Sequence, residues 1–192
     1  MFKKIIGYFI IILSIINIII KYSTTQNLKE KEEKNIAKYL AKSNDKNEKQ
    51  NSFIAILEIP KINLKKGLYN INSKENNVDK NIEILHESQM PDINNGNFIL
   101  ASHSGTSKIS YFKNLDKLNI NDKLIIYYKT EKYTYKLVNI YEVDKTGSIE
   151  IIRNHNKRAL TLITCNKNNK SKQLVFIAEL DTIEQLIANN SN

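Results

Sequence analysis

The chain has 192 residues, a length that fits one domain with appendages, and its 41% hydrophobic content is enough for a core. The net charge is +9, yet arginine occurs only at Arg153 and Arg158 and the lysines are interleaved with acids. Nucleic acid is therefore not expected as a partner, because reading bases and phosphates favours arginine; a solvated basic surface with some attraction to an anionic envelope fits better. One cysteine excludes an internal disulfide and leaves a thiol that is either buried filler or a reagent.

Lys3 and Lys4 precede Ile5 to Ile20, an apolar block interrupted by Gly7, Tyr8, Ser14 and Asn17 and closed by Lys21. With Phe2 and Tyr22 at its edges, the block just reaches the roughly 17–25 residues that a spanning helix needs. The following Lys21-Tyr22-Ser23-Thr24-Thr25 is a poor cleavage site, so residues 1–22 are read as an uncleaved anchor that meets the membrane through 5–20. The leading lysines predict a single pass with a cytoplasmic N-terminus and an extracellular body, although Lys21 reduces the asymmetry. Residues 23–50 are densely charged and read as a partly helical stalk. Ile36, Tyr39 and Leu40 mark a weak apolar stripe there, too sparse to bury much.

From 51 to 182 the pattern is that of strands. Phe53 to Ile59 is a strand-like run ended by Pro60, Ile62 and Leu64 alternate with polar residues, and Gly67 breaks the pattern. Asn97 to Ala101 reads as a buried strand. Lys123 to Tyr128 and Tyr133 to Val138 read as a hairpin, which Ile140 to Val143 either extends or follows with a new strand. Leu160 to Thr164 and Leu174 to Ala178 are two more. Helix signals are weaker: one or two turns over Ser110 to Leu118, and a short terminal helix over Asp181 to Ala188, running into a tail at 183–192. Short strands at this spacing predict an all-β barrel or sandwich.

Two residues carry candidate chemistry. Cys165, the only cysteine, ends the apolar strand Thr161-Leu162-Ile163-Thr164, and a strand tip holds a side chain firmly while exposing it. The alternative is a buried structural thiol. His103 follows Ile99-Leu100-Ala101-Ser102 in the same way, so both side chains would meet at one rim; the alternative is a solvent-exposed loop histidine. His86 and His155 follow no such strand and are read as loop residues. One cysteine and three dispersed histidines supply no zinc cluster, and Asp144 with Glu150 are too few acids for calcium, so no metal or cofactor is expected.

The order of these segments resembles the sortase family. Ile56-Leu57-Glu58-Ile59-Pro60-Lys61-Ile62 is similar to its first-strand signature. Gly96-Asn97-Phe98-Ile99-Leu100-Ala101-Ser102-His103 resembles its G-N-x-x-x-x-G-H segment, with Ser102 where glycine is usual. Tyr111-Phe112-Lys113-Asn114-Leu115 resembles its Y/F-F-x-x-L turn, and Leu162-Ile163-Thr164-Cys165 its L-x-T-C nucleophile motif. The likeness runs from about Phe53 to Leu180. It implies a closed β-barrel of about eight strands with short connecting helices, behind an N-terminal transmembrane helix. The short gap between Val143 and Leu160 favours a class A- or D-like member over class B.

The resemblance also implies a reaction. Cys165 would cleave an L-P-x-T-G-like sorting signal through a thioester, with His103 as general acid and then base. Partners would be surface proteins carrying C-terminal sorting signals and an amine acceptor, either a peptidoglycan precursor or a pilin lysine. Thr164 and Ser104, beside these two residues, are the expected substrate contacts. Family members carry an arginine at the start of the strand after the cysteine; here that position aligns with Gln173, which keeps two N–H donors but loses the charge. Alternation sends Lys172 and Arg158 to the opposite face. Lys167 and Lys170 lie in the loop after Cys165. Gln173 and Ser102 leave open a weakened, sortase-like binding module at the envelope, and a hydrolytic cysteine peptidase stays open because the same residues would serve water as acceptor.

Overall fold

The computed structural model describes residues 2–41 and 53–186. Eight strands follow a long helix, α1 (Phe2–Ala41): β1 (Phe53–Ile59), β2 (Leu64–Tyr69), β3 (Glu83–Ile84), β4 (Asn97–Ala101), β5 (Lys123–Tyr128), β6 (Glu131–Asp144), β7 (Ala159–Cys165) and β8 (Lys172–Gln185). They form one sheet in the order β2-β1-β5-β6-β8-β7-β4-β3. Every pairing is antiparallel except that of β4 with β7. The edge strands β2 and β3 come into contact without pairing, so the barrel is nearly closed. Buried Asn81 ties this seam, its Nδ2 donating to the Gly67 carbonyl at 3.0 Å.

Strand alternation explains the core. Leu57, Ile59, Phe98, Leu100, Leu160, Leu162, Phe176 and Ala178 recur at every second position and pack as one buried cluster. Phe112, Leu115 and Leu118 complete it from the segment between β4 and β5. That segment has the expected apolar spacing, but only Leu115–Lys117 forms a 3-10 turn. Lys113 and Leu115 donate to carbonyls three residues back, while the Phe112 N–H goes to the His103 carbonyl at 3.1 Å, so no α-helical ladder develops.

Two further sequence expectations are revised, at Gly67 and at the C-terminal end, and one left open is decided. Gly67 does not break a strand: β2 runs through it, because the Phe53 ring lies flat against the position and a Cβ there would sit 2.4 Å from ring carbons. We expect Gly67→Ala to displace that ring and cost about 1–3 kcal/mol, read as a lower urea midpoint. β6 is one 14-residue strand in which Ile140 to Val143 extend the hairpin, with register irregularities against β8 at Thr134/Tyr135 and Leu137/Asn139. The expected terminal helix is strand as far as Gln185, with Ile187 and Ala188 outside the described residues. The first half of β6 decides this by pairing Thr134 with Thr182 and Glu131 with Gln185. The cross-strand ion pairs Lys136–Asp181, at 2.8 Å, and Lys132–Glu184, at 3.1 Å, lie along the same ladder. The short strand β3 has no clear sequence signal.

Helix α1 combines two surfaces. From Tyr8 it is long and apolar enough to cross a membrane, an 18-residue stretch of it having a mean hydropathy of 1.6, and Ile10, Ile15 and Ile18 are exposed along it. At 1.5 Å per residue, its 40 residues reach about 60 Å. Its charged end docks on the barrel. Ile36 is buried against Phe53 and Ile56, Glu32 pairs with Lys66 and accepts the Gly67 N–H at 3.2 Å, and Tyr39 Oη donates to the Ile54 carbonyl at 2.7 Å. The stripe Ile36, Tyr39 and Leu40, read as too sparse to bury much, is thus the contact face. Residues 42–50 of the expected stalk lie outside the described residues.

Candidate active site

β4 and β7 run parallel with Ala101 opposite Ile163, so His103 and Cys165 each stand two residues beyond one shared rung, at the same end of the barrel. Hydrogen bonds continue the pairing past the strands. The Ser102 N–H donates to the Ile163 carbonyl at 3.3 Å, Thr164 Oγ1 to the Ser102 carbonyl at 2.7 Å, and Ser104 Oγ to the Cys165 carbonyl at 2.6 Å. These bonds fix the backbone beneath both candidate residues. Thr164 and Ser104 are buried and spend their hydroxyls on them, so the two expected substrate contacts are tied into the scaffold.

Cys165 is free and partly exposed. His103 is 41% exposed, and its Nε2 lies 3.0 Å from Asp79 Oδ1, a partner supplied by the loop before β3. Asp79 orients the ring, but its place in a loop 24 residues upstream gave no sequence signal. Gln173 pairs directly with Cys165 across β7 and β8, and with Val143 across β6 and β8. All three therefore present side chains to one face, away from Leu162 and Phe176. Lys145, two residues beyond Val143, places Nζ 3.9 Å from Cys165 Sγ. Sequence reasoning passed over Lys145, because its proximity depends on the register of β6.

Three of the other cations, Lys172, Arg158 and Lys167, are engaged elsewhere. Lys172 pairs with Asp144 at 2.8 Å, and that hydrogen bond and charge push its pKa up. This pairing also commits one of the two acids considered for calcium. Arg158 bonds Asn94, while Lys167 bonds Asp116 at 3.0 Å and the Lys113 carbonyl. After Cys165, the Asn166 side chain organises a tight turn, accepting the N–H groups of Asn168 at 2.8 Å and Asn169 at 3.3 Å and donating to Glu142. A surface pocket opens beside the thiol; Phe112, Leu115 and Leu174 form its apolar wall and Ser104, Thr164, Asn166 and Asn168 its polar rim. His86 and His155 lie in exposed turns.

Fold and site together define a barrel that presents a free thiol and an imidazole at one rim. Residues 57–181 match the family model of the sortase domain, and the chain belongs to the sortase family. It is 28% identical to Sortase A of Bacillus anthracis over 128 residues, which are 66% of this chain and 59% of that protein. It is 31% identical to Sortase D of Bacillus subtilis (strain 168) over 110 residues, 57% of this chain and 52% of the relative. The chain thus spans a little over half the length of these relatives, and an A- or D-like class is compatible with them. Among solved structures, a Clostridium perfringens Sortase D5 transpeptidase superposes with a TM-score of 0.63 at 24% identity, covering 79% of this chain and 98% of that one. Sortase C1 from Streptococcus agalactiae superposes with a TM-score of 0.61 at 25% identity, covering 73% of each chain. The apolar N-terminal helix suggests membrane anchoring, as in sortases.

Proposed function

We propose that this chain is a membrane-anchored cysteine transpeptidase acting on an L-P-x-T-G-like C-terminal sorting signal. The observation that carries this reading is the placement of Cys165 and His103 two residues beyond one rung of parallel strands. As a thiolate, Sγ forms a bond to the substrate carbonyl carbon while the C=O electron pair moves onto oxygen. The oxyanion then collapses and the C–N bond breaks. His103, as imidazolium, gives the departing amine its proton, leaving a thioester. An acceptor amine attacks that thioester, neutral His103 takes the proton the amine sheds, and the thiolate leaves. The pocket walled by Phe112, Leu115 and Leu174 suits the apolar residues of such a signal. Gln173, opposite Cys165, offers amide N–H donors where the family uses arginine.

The substrates in this reading are surface proteins with sorting signals, and the acceptor is a peptidoglycan precursor or a pilin lysine. The N-terminus is cytoplasmic and the barrel extracellular, close to both.

The test uses the full chain in detergent, because removing α1 would uncover Phe53 and Ile56. Intact-mass spectrometry with a panel of L-P-x-T-G-like peptides, with and without an amine, is expected to show a thioester adduct and an amine-dependent product. Products formed only with water would instead identify a hydrolytic peptidase. Peptide binding without turnover, surviving Cys165→Ala, would identify a binding module. His103→Ala is expected to slow adduct formation by about 10²–10⁴-fold without changing the melting temperature, since the ring is half exposed. An unchanged rate in this variant would remove His103 from the reaction.

A further inference from the structure

We propose that Lys145 supplies the positive charge at the nucleophile, in place of the arginine that Gln173 lacks. The inference rests on the transpeptidase reading above. Three observations carry it. Lys145 Nζ stands 3.9 Å from Cys165 Sγ, and no carboxylate of the described residues pairs with that ammonium. The position is built into the sheet: Cys165 pairs with Gln173, Gln173 with Val143, and the Lys145 N–H extends the ladder by donating to the Ser171 carbonyl at 2.8 Å. Alternation then sends Lys145 to the face of Cys165 and Gln173, and Asp144 to the opposite face, where Lys172 holds it at 2.8 Å. Lastly, two neighbouring cations at this rim are committed, Lys172 to Asp144 and Lys167 to Asp116.

An ammonium is a compact point charge on a flexible stem, without the planar fork of a guanidinium. Beside Sγ it favours the thiolate electrostatically. Swinging a short way, it also meets the negative charge that appears on the substrate oxygen as the C–S bond forms. The charge of the missing arginine is thus delivered from β6 instead of β8, while Gln173 keeps the hydrogen-bond donors.

The first arm of the test needs no sorting signal. Iodoacetate and iodoacetamide both alkylate the thiolate, Sγ forming the new C–S bond as iodide leaves with its electron pair, but only iodoacetate is an anion. In the full chain, Lys145→Met is expected to lower the ratio of iodoacetate to iodoacetamide rates by about 5-fold, the effect of one unit charge near 4 Å in water-like surroundings. Lys145→Arg retains the ratio of the parent. In the second arm, peptide adduct formation falls on the order of 10²-fold in Lys145→Met, as for loss of one group that stabilises an oxyanion. The same substitution has little further effect in a Gln173→Arg background, where the charge has been restored from β8.

An unchanged alkylation ratio in Lys145→Met overturns the assignment, even if adducts form normally. A lowered ratio with unchanged adduct formation overturns the role in the reaction. A lowered ratio in a chain that acylates with no peptide supports the cation at the thiol and counts against the transpeptidase reading alone.

Discussion

Cys165→Ala abolishes the covalent peptide adduct and every amine-dependent product, while the barrel unfolds at nearly the same denaturant concentration as the parent. Both halves of this expectation follow from the site. Covalent catalysis divides amide cleavage into two easier steps, and without Sγ neither step has an electrophile-bearing intermediate to pass through. Sγ is partly exposed at the end of β7, and the backbone beneath it is held by Ser104 Oγ, which bonds the Cys165 carbonyl and not its side chain. Truncation therefore removes little packing, and the stability change is expected within about 1 kcal/mol. Intact-mass spectrometry and urea titration read the two quantities separately. A mass adduct persisting in the alanine variant would place the nucleophile elsewhere.

Phe112→Ala is expected to have the largest effect on stability. Its ring is 1% exposed and belongs to the main core cluster together with Leu115 and Leu118. Truncating a buried phenylalanine costs about 3–5 kcal/mol through lost transfer energy and the cavity left behind. Against a total stability of about 5–15 kcal/mol, that is a large fraction, and the urea midpoint should fall accordingly with little change in slope. The same ring walls the pocket beside Cys165, so peptide binding should weaken as well. The Phe112 N–H to His103 carbonyl bond is made by backbone, so the His103 loop keeps its anchor in the variant. A loss below about 1 kcal/mol would mean that the segment between β4 and β5 collapses into the space, detaching the pocket wall from the core.

The chemistry and the stability of this rim are thus supplied by different neighbours. Parallel pairing of β4 and β7 brings the two candidate reagents to one end, the serine and threonine hydroxyls stitch the backbone beneath them, and the segment at Phe112 closes one side. Asp79 and Lys145 then add one charge to each reagent from two separate loops.

Much of this was legible in the amino-acid sequence alone. Short, nearly continuous apolar runs mark β1, β4, β5, β7 and the centre of β8, because a strand covered on both faces needs apolar residues at successive positions. The positions of Cys165 and His103 at strand tips, and the apolar stretch after Lys4, are equally local. Alternation also correctly sent Lys172 and Arg158 away from the thiol, since a face is a matter of counting. What depends on partners far along the chain was not legible. Asp181 to Gln185 become strand because β6 pairs with them, and Gly67 stays in β2 because Phe53 covers it. Helix α1 docks through a sparse stripe only because Phe53 and Ile56 present a matching surface. Lys145 lies 20 residues before Cys165, and only the register of β6 on β8 and of β8 on β7 brings its ammonium to the sulfur. Local pattern fixes which face a side chain takes; which residues share that face is decided by strand register, and register is a tertiary property.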